Sequence, residues 1–258
     1  MKFKLFNRVT IQINKYKKNI DENKIWYRSD LNEFKSLSEN NNDFILLDNY
    51  PCLNDKNQKS GTINGMYFHQ DLYVAKEIYK RKPIKHVDIG SSVEGFVAHV
   101  ASFREIEIFD IRKLHSNIEN IIFKQIDFMS TNNYPLSYCD SISSLNVIEH
   151  FGLGRYGDSI DPNGHLNGFN NISKMLKKDG IFYFSVPMGK EQKIEFNAHR
   201  IFNLQYLIDW VRNLYHIDNF CYIDDMGDLC ENTQLTDDNI KYSFNCNFGC
   251  AIFILRKK

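Results

Sequence analysis

From Met66 onward the sequence alternates short apolar, β-branched runs with segments of helical periodicity, and that alternation leaves few folds open. It is the pattern of a parallel sheet whose strands are joined by crossover helices. The spacing predicts a helix over Gln70 to Lys80, with Leu72, Ala75, Ile78 and Tyr79 on one side. A strand follows at Ile84 to Ile89, then a turn at Gly90 to Gly95 and a helix around Phe96 to Ser102. Further strands are expected at Glu105 to Phe109, Ile121 to Ile126, Ser141 to Asn146 and Ile181 to Val186, and a helix over Leu204 to Leu214. The last two strands, near Ile217 to Ile223 and Phe248 to Leu255, have no convincing helix between them, the pattern of an antiparallel hairpin ending a parallel sheet. The expectation is an α/β, seven-stranded, mostly parallel sheet with a C-terminal antiparallel hairpin over residues 66–258, preceded by an N-terminal extension of residues 1–65.

Length and charge narrow the function. The 258 residues, 43% of them hydrophobic, suffice for one large α/β domain and its extension. Lysine plus arginine equals aspartate plus glutamate at 32 each, so the global field that drives counterion release is missing and no nucleic acid is expected as partner. Met1 to Lys18 carries Lys2, Lys4, Arg8, Lys15, Lys17 and Lys18 without an acid; this reads as a solvated arm, an anionic surface being the alternative. The rest of the extension is rich in Asn, Lys and Asp, with one apolar patch at Phe44 to Leu47 and a turn near Tyr50-Pro51. The six cysteines show neither CxxC pairing nor zinc spacing and read as reduced core residues, with Cys246 and Cys250 on one face of a strand. No apolar run approaches the ~20 residues that span a bilayer, and the N-terminus lacks a signal-peptide core, so no membrane span and a cytoplasmic location are expected.

In an open α/β sheet, ligands bind outside the carboxyl ends of the strands. Four such ends carry chemistry. Asp88-Ile89-Gly90-Ser91-Ser92 places an acid late in a strand and a small-residue turn after it, where Gly90 permits close backbone approach and a helix N-terminus offers free amides. Asp110, with Ile111 beside it, ends the next strand twenty residues beyond Gly90, the separation at which a carboxylate accepts ribose hydroxyls; a helix-capping Asp is the alternative. Asp127 and Phe128 follow the third strand, where they could accept an adenine amino group and stack on its ring. Leu145 to Phe151, with Asn146 and His150, closes the fourth.

That fourth segment resembles the strand-four motif of class I S-adenosylmethionine (SAM)-dependent methyltransferases, and Leu176 to Ile181 followed by Ser185-Val186-Pro187 resembles their strand-five turn. Four stretches, Tyr67 to Leu72, His86 to Phe103, Val147 to Gly168 and Phe196-Asn197-Ala198-His199-Arg200, resemble the DUF268 family over roughly Gly65 to Asn203. The resemblance implies a Rossmann-like methyltransferase fold with S-adenosyl-L-methionine as cofactor, held by Asp88, Gly90, Ser91, Ser92, Asp110, Ile111, Asp127, Phe128 and Asn146. One departure stands out: the usual GxGxG is missing, with Ser92 and Glu94 in two glycine places and Gly95 one position late.

Glu149 to His165 combines glycines and Asp161-Pro162, which prevent a long helix, with one arginine, two histidines and three carboxylates. Long irregular loops at the carboxyl edge of a sheet commonly bind ligands. Methyl transfer is an in-line displacement in which a base is needed only for a hydroxyl or protonated amine. His150 and His199 are both candidates for that catalytic role, a buried structural histidine being the competing reading of each. Arg155 or Arg200 could hold a phosphate or carboxylate through bidentate hydrogen bonds, with Tyr156, Asp158, Asp161 and Asn197 completing a substrate-binding set. A divalent cation at His150, Asp158, Asp161 and His165 has no ligand spacing behind it, so no metal is expected. His69, Gln70 and Asp71 could cover the pocket as a lid or cap their helix. The expected activity is methyl transfer to a small-molecule acceptor, with a sugar, nucleotide-linked or phosphorylated intermediate of surface-polysaccharide assembly in view. The alternatives are a non-catalytic binding protein of the same fold and an NAD-dependent oxidoreductase, which the missing glycine fingerprint disfavours.

Overall fold

The computed structural model describes residues 22–258 apart from 39–43, 49, 62, 64, 116 and 131–133, so the basic stretch Met1 to Lys18 lies outside the described residues. The chain divides between residues 62 and 63 into two units. In the first, helix α1 covers residues 22–37. The Lys56 ammonium lies 4.5 Å from the centre of the Trp26 ring and 2.6 Å from Asp30, so one lysine ties this helix to the short turn Asp55–Asn57.

The second unit contains β1 (His86–Ile89), β2 (Ile106–Asp110), β3 (Ile121–Gln125), β4 (Cys139–Leu145), β5 (Leu176–Met188), β6 (Lys193–Glu195), β7 (His199–Ile201), β8 (Tyr215–Ile223), β9 (Leu229–Cys230) and β10 (Gly249–Lys257). Its helices are α2 (Met66–Arg81), α3 (Ala98–Ala101), α4 (Gly164–Met175), α5 (Leu204–Arg212) and α6 (Asp237–Lys241). Eight strands form one sheet in the order β3-β2-β1-β4-β5-β10-β8-β9, and β6 pairs with β7 in a separate hairpin. Strands β1 to β5 pair in parallel, and β10 runs antiparallel to both of its neighbours, β5 and β8. Alternation along the strands feeds two cores. Val87, Ile142, Phe182 and Phe184 meet Phe169 and Ile172 of α4 and Leu204, Leu207 and Ile208 of α5. Ile106, Ile108, Tyr183 and Ile252 meet Val74 and Ile78 of α2 and Val100 of α3.

Three expectations are corrected. The sheet has eight strands, because the two-residue β9 adds to β8. The antiparallel strand is interior: β10 lies between β5 and β8, which explains why Ala251 to Leu255 is apolar without interruption, since both faces and both edges are covered. Between β8 and β10 stands the short helix α6, and Cys246 sits before β10, so it does not share a strand with Cys250. All six cysteines are free. The sequence reading also passed over α4, whose buried Phe169, Ile172 and Met175 recur at helical spacing directly after the glycine-rich loop. Among the described residues, no helix is long and apolar enough to cross a membrane.

Candidate active site

Strand order reverses between β1 and β4, so their carboxyl ends diverge into loops on opposite sides and leave a crevice. The turn after β1 is held from beneath. Asp88, fully buried, accepts the Ser91 amide (2.9 Å), the Ser91 hydroxyl (2.6 Å) and the Ser143 hydroxyl (2.6 Å). The Ser91 hydroxyl in turn accepts the Leu145 amide at 3.1 Å, which ties the turn to β4. Gly90 has φ +68°, and a Cβ there would lie 2.8 Å from Val147 Cγ1, so both the left-handed backbone and the close approach call for glycine. Ser92 caps the following π-type turn Val93–Val97 by accepting the Gly95 amide at 3.2 Å, and it keeps its own hydroxyl hydrogen for a ligand.

Two adjoining cavities occupy the crevice. The larger, about 550 Å³, is lined by Gly90, Ser91, Ser92, Asp110, Asn146, His150, Arg155 and Tyr156, together with Tyr67, Glu94, Arg112 and Lys113. The narrower, about 60 Å³, lies among Gly90, Asp110, Ile111, Asp127, Phe128, Asn146 and His150, with Arg112, Tyr156 and Asp158 also in its wall. Every residue read as cofactor-binding except Asp88 therefore borders a cavity. Asp88 shapes the turn from below and the Ser91 side chain is committed to it, which leaves Ser91 only its backbone to offer. Phe128 is 2% exposed, with Tyr134 stacked on it at 5.8 Å and Phe109 edge-on at 6.0 Å, so it forms a wall and not a free stacking face. Asp127 accepts the Met129 amide through Oδ1 at 2.8 Å, and its Oδ2 has no hydrogen bond among the described residues. Asp110 holds Arg112 through both oxygens, at 3.0 Å from Nε to Oδ1 and 2.6 Å from Nη2 to Oδ2.

The loop from β4 to α4 is an organised structure. Asp158 accepts the amides of Gly152 (2.8 Å), Gly154 (3.2 Å) and Tyr156 (3.2 Å). Arg200, 3% exposed, donates to the carbonyls of Glu149 (3.2 Å), Phe151 (2.6 Å) and Pro162 (3.2 Å). Gly152 has φ +80°, and a Cβ there would lie 2.0 Å from the Asp161 carbonyl oxygen. These contacts revise the substrate-binding set. Asp158 and Arg200 spend their charges on the loop's own backbone, and Asp161 on the Asn163 amide (2.9 Å) and the Asn167 side chain (2.9 Å). Asn197, with φ +64°, is exposed between β6 and β7 and borders neither cavity. Arg155 and Tyr156 remain at the cleft. The four residues weighed as a cation site are dispersed, with His165 facing the Tyr206 hydroxyl at 3.0 Å, and no cluster of three metal-ligating residues occurs among the described residues.

The two histidines also separate. His150 borders both cavities, whereas His199 borders neither and packs its ring 5.2 Å from that of Phe248. His150 Nδ1 lies 2.6 Å from the Ala198 carbonyl oxygen, which can only accept, so Nδ1 carries the hydrogen and Nε2 the lone pair. Burial pushes His150 down to about 4, which keeps the ring neutral at pH 7. Nε2 is 3.6 Å from Glu149 Oε1, and the enclosed Glu149 carboxyl is pushed up to about 8 by burial. Its Oε2 has no hydrogen-bond partner among the described residues.

A pH dependence of stability follows. The folded state holds the Glu149 proton up to about pH 8, whereas the unfolded chain releases it near 4.5, so this carboxyl's share of stability is lost as pH rises between those values. The buried histidines His86, His150 and His165 are pushed down, to about 3, about 4 and about 4, and act oppositely, but only up to their unfolded value of 6.5. From about pH 7, the raised value of buried Asp88, to pH 8 stability is therefore expected to fall, by at most about 1.4 kcal/mol per pH unit for the one carboxyl, Glu149, that titrates there. Glu149→Gln should flatten that decline in urea-denaturation midpoints; an unchanged slope would place its source elsewhere.

Residues missed by sequence reasoning are those whose role depends on distant partners. Gln70, read as a lid or cap, is buried, and its Oε1 accepts Asn146 Nδ2 (2.9 Å) and the Ser185 hydroxyl (2.6 Å), partners 76 and 115 positions away. Asp71 is also buried. Tyr67 lay within a recognised motif, and Arg112 two positions after the strand-end acid, but neither was singled out.

Residues 84–257 match the model of a family described as "Caenorhabditis protein of unknown function, DUF268". No curated protein matches the chain. Among solved structures, the [4+2]-cyclase SpnF aligns with a TM-score of 0.51 at 14% identity, over 72% of this chain and 80% of that one. The N-methyltransferase NodS from Bradyrhizobium japonicum WM9, solved with S-adenosyl-L-homocysteine (SAH), aligns at 0.49 and 10% identity, over 75% and 88%. The 1,6-didemethyltoxoflavin-N1-methyltransferase of Burkholderia thailandensis gives 0.49 and 11%, over 73% and 78%. The fold shared with SpnF is a Rossmann-like α/β fold, and an identity this low speaks of fold alone.

Proposed function

The chain belongs to the DUF268 family, and from that membership and the cleft at its sheet reversal we propose that it is a SAM-dependent methyltransferase acting on a small anionic acceptor. The observation carrying this reading is the convergence of the Gly90 turn, Asp110, Asp127 and Asn146 on one crevice. The donor set suits an adenosyl amino acid: carboxylate oxygens of Asp110 for the ribose hydroxyls, Oδ2 of Asp127 for the adenine amino group, and the Ser92 hydroxyl with the turn amides for the methionyl carboxylate. When bound, SAM supplies an electrophilic methyl group on sulfur.

The remaining work falls to the chain. His150 presents a neutral ring whose Nε2 lone pair can take a proton from an acceptor hydroxyl or amine. Arg155 and Lys113 add positive charge to the larger cavity, which favours a phosphate or carboxylate on the acceptor. A sugar or nucleotide-linked, phosphorylated intermediate of surface-polysaccharide assembly, methylated in the cytoplasm, is the acceptor class this reading carries. Residues 66–258 act as the catalytic domain and residues 1–65 as its extension.

A thermal-shift panel with SAM, SAH and NAD tests the reading. A ligand at 100 times its dissociation constant stabilises by about 2.7 kcal/mol, so the two sulfur compounds should raise Tm and NAD should not. Asp110→Ala should weaken SAH binding at least roughly tenfold, as loss of charge-assisted hydrogen bonds does. A response to NAD alone would overturn the assignment. One observation favours a second reading, a protein of this fold without methyl transfer: both oxygens of Asp110 are already engaged by Arg112, and the similar SpnF is a [4+2]-cyclase. That reading expects no turnover with any acceptor.

A further inference from the structure

The mouth of the crevice is crossed by a continuous stack. Arg112 reaches back from the loop after β2 and makes a bidentate pair with Asp110, and its own amide donates to the same carboxylate at 2.8 Å. The Arg112 guanidinium lies over the Tyr156 ring at 4.4 Å, Arg155 approaches the same ring at 5.2 Å, and His150 meets it edge-on at 5.5 Å. Tyr156 belongs to the loop after β4, so the stack joins the two loops that flank the reversal point. Arg112 and Tyr156 both border both cavities, and the narrower one, at about 60 Å³, holds only a few waters as it stands.

We propose that Arg112 is a latch: paired with Asp110 and stacked on Tyr156, it closes the crevice, and a ribose-bearing ligand enters by displacing it from the carboxylate. The inference rests on the adenosyl reading of the site. Its physical basis is competition for one acceptor. Asp110 Oδ1 accepts two Arg112 N–H groups and Oδ2 a third, which leaves fewer lone pairs for ribose hydroxyls, and the same arginine walls the narrower cavity. The latch is built to open. The Arg112 side chain is about half exposed, at 49%, so its pair with Asp110 is solvent-screened and contributes little net stability. Tyr156 can keep its hold on Arg155 after Arg112 has left, so opening does not dismantle the β4–α4 loop, which Asp158 and Arg200 secure independently.

The test is calorimetric titration of the full chain with SAH, comparing wild type, Arg112→Ala and Tyr156→Ala. Removing the competitor should tighten SAH binding roughly two- to fivefold in Arg112→Ala, the size expected for releasing an exposed ion pair. Tyr156→Ala, which leaves the ion pair but removes the stack, should tighten it less. Asp110→Ala moves the opposite way and controls for the site itself. Equal or weaker binding by Arg112→Ala, in a wild type that does bind SAH, overturns the latch and leaves the adenosyl reading standing. Binding by Arg112→Ala alone supports both, and binding by neither protein overturns both.

Discussion

Arg200→Ala is expected to destabilise the second unit by about 3–5 kcal/mol, the range for removing one member of a buried, hydrogen-bonded polar group. Its guanidinium donates to the carbonyls of Glu149, Phe151 and Pro162, and at 3% exposure water cannot replace it without opening the loop. Because the same loop carries His150 and Tyr156, SAH affinity should fall together with the urea midpoint. Arg200→Lys should recover only part of the loss, since an ammonium cannot present the planar fork that reaches three carbonyls. A change below about 0.5 kcal/mol in the alanine variant, the range of ordinary surface substitutions, would show that the loop is held by Asp158 and its glycines alone.

Phe169→Ala should have a comparable effect by a different mechanism. The ring is fully buried, with centroids of Phe182, Phe184, Trp210 and Tyr215 at 5.6, 5.4, 4.5 and 5.7 Å. Truncation leaves a cavity between α4, β5 and α5, and such a change costs about 3–5 kcal/mol. Trp210 reports the event directly: its fluorescence should shift as the cluster loosens, and the urea midpoint should fall with the slope unchanged. Retained stability would mean that α4 collapses onto the sheet. Phe169→Leu, which keeps much of the volume, should lose less than half as much.

The fold was largely legible because its signal is local. Parallel strands buried on both faces must be short and apolar, and the helices between them must carry one apolar side, so His86 to Ile89, Ile106 to Phe109 and Ile142 to Leu145 stand out without reference to any partner. Strand order was not local. Nothing in Ala251 to Leu255 says that it inserts between β5 and β8, because a doubly covered strand looks the same wherever in the sheet it lies. Helix α4 escaped notice because its start, Gly164, directly follows a glycine-rich loop that argues against helix.

At the site, the sequence alone determined which strand ends meet at the crevice. Strand ends and the turns after them are set by periodicity, and that put Gly90, Asp110, Asp127, Asn146 and His150 at one edge of the sheet. Only the tertiary structure decided what each one faces. Asp158, Asp161 and Arg200 look on paper like ligand-binding charges, but in space they are engaged by groups of the β4–α4 loop and the start of α4. Likewise Asp110 gained a partner, Arg112, that competes for its oxygens. The reason is one of range: periodicity places a side chain on an element, whereas the hydrogen bonds that remain open to a ligand depend on groups brought within about 3 Å by the whole fold.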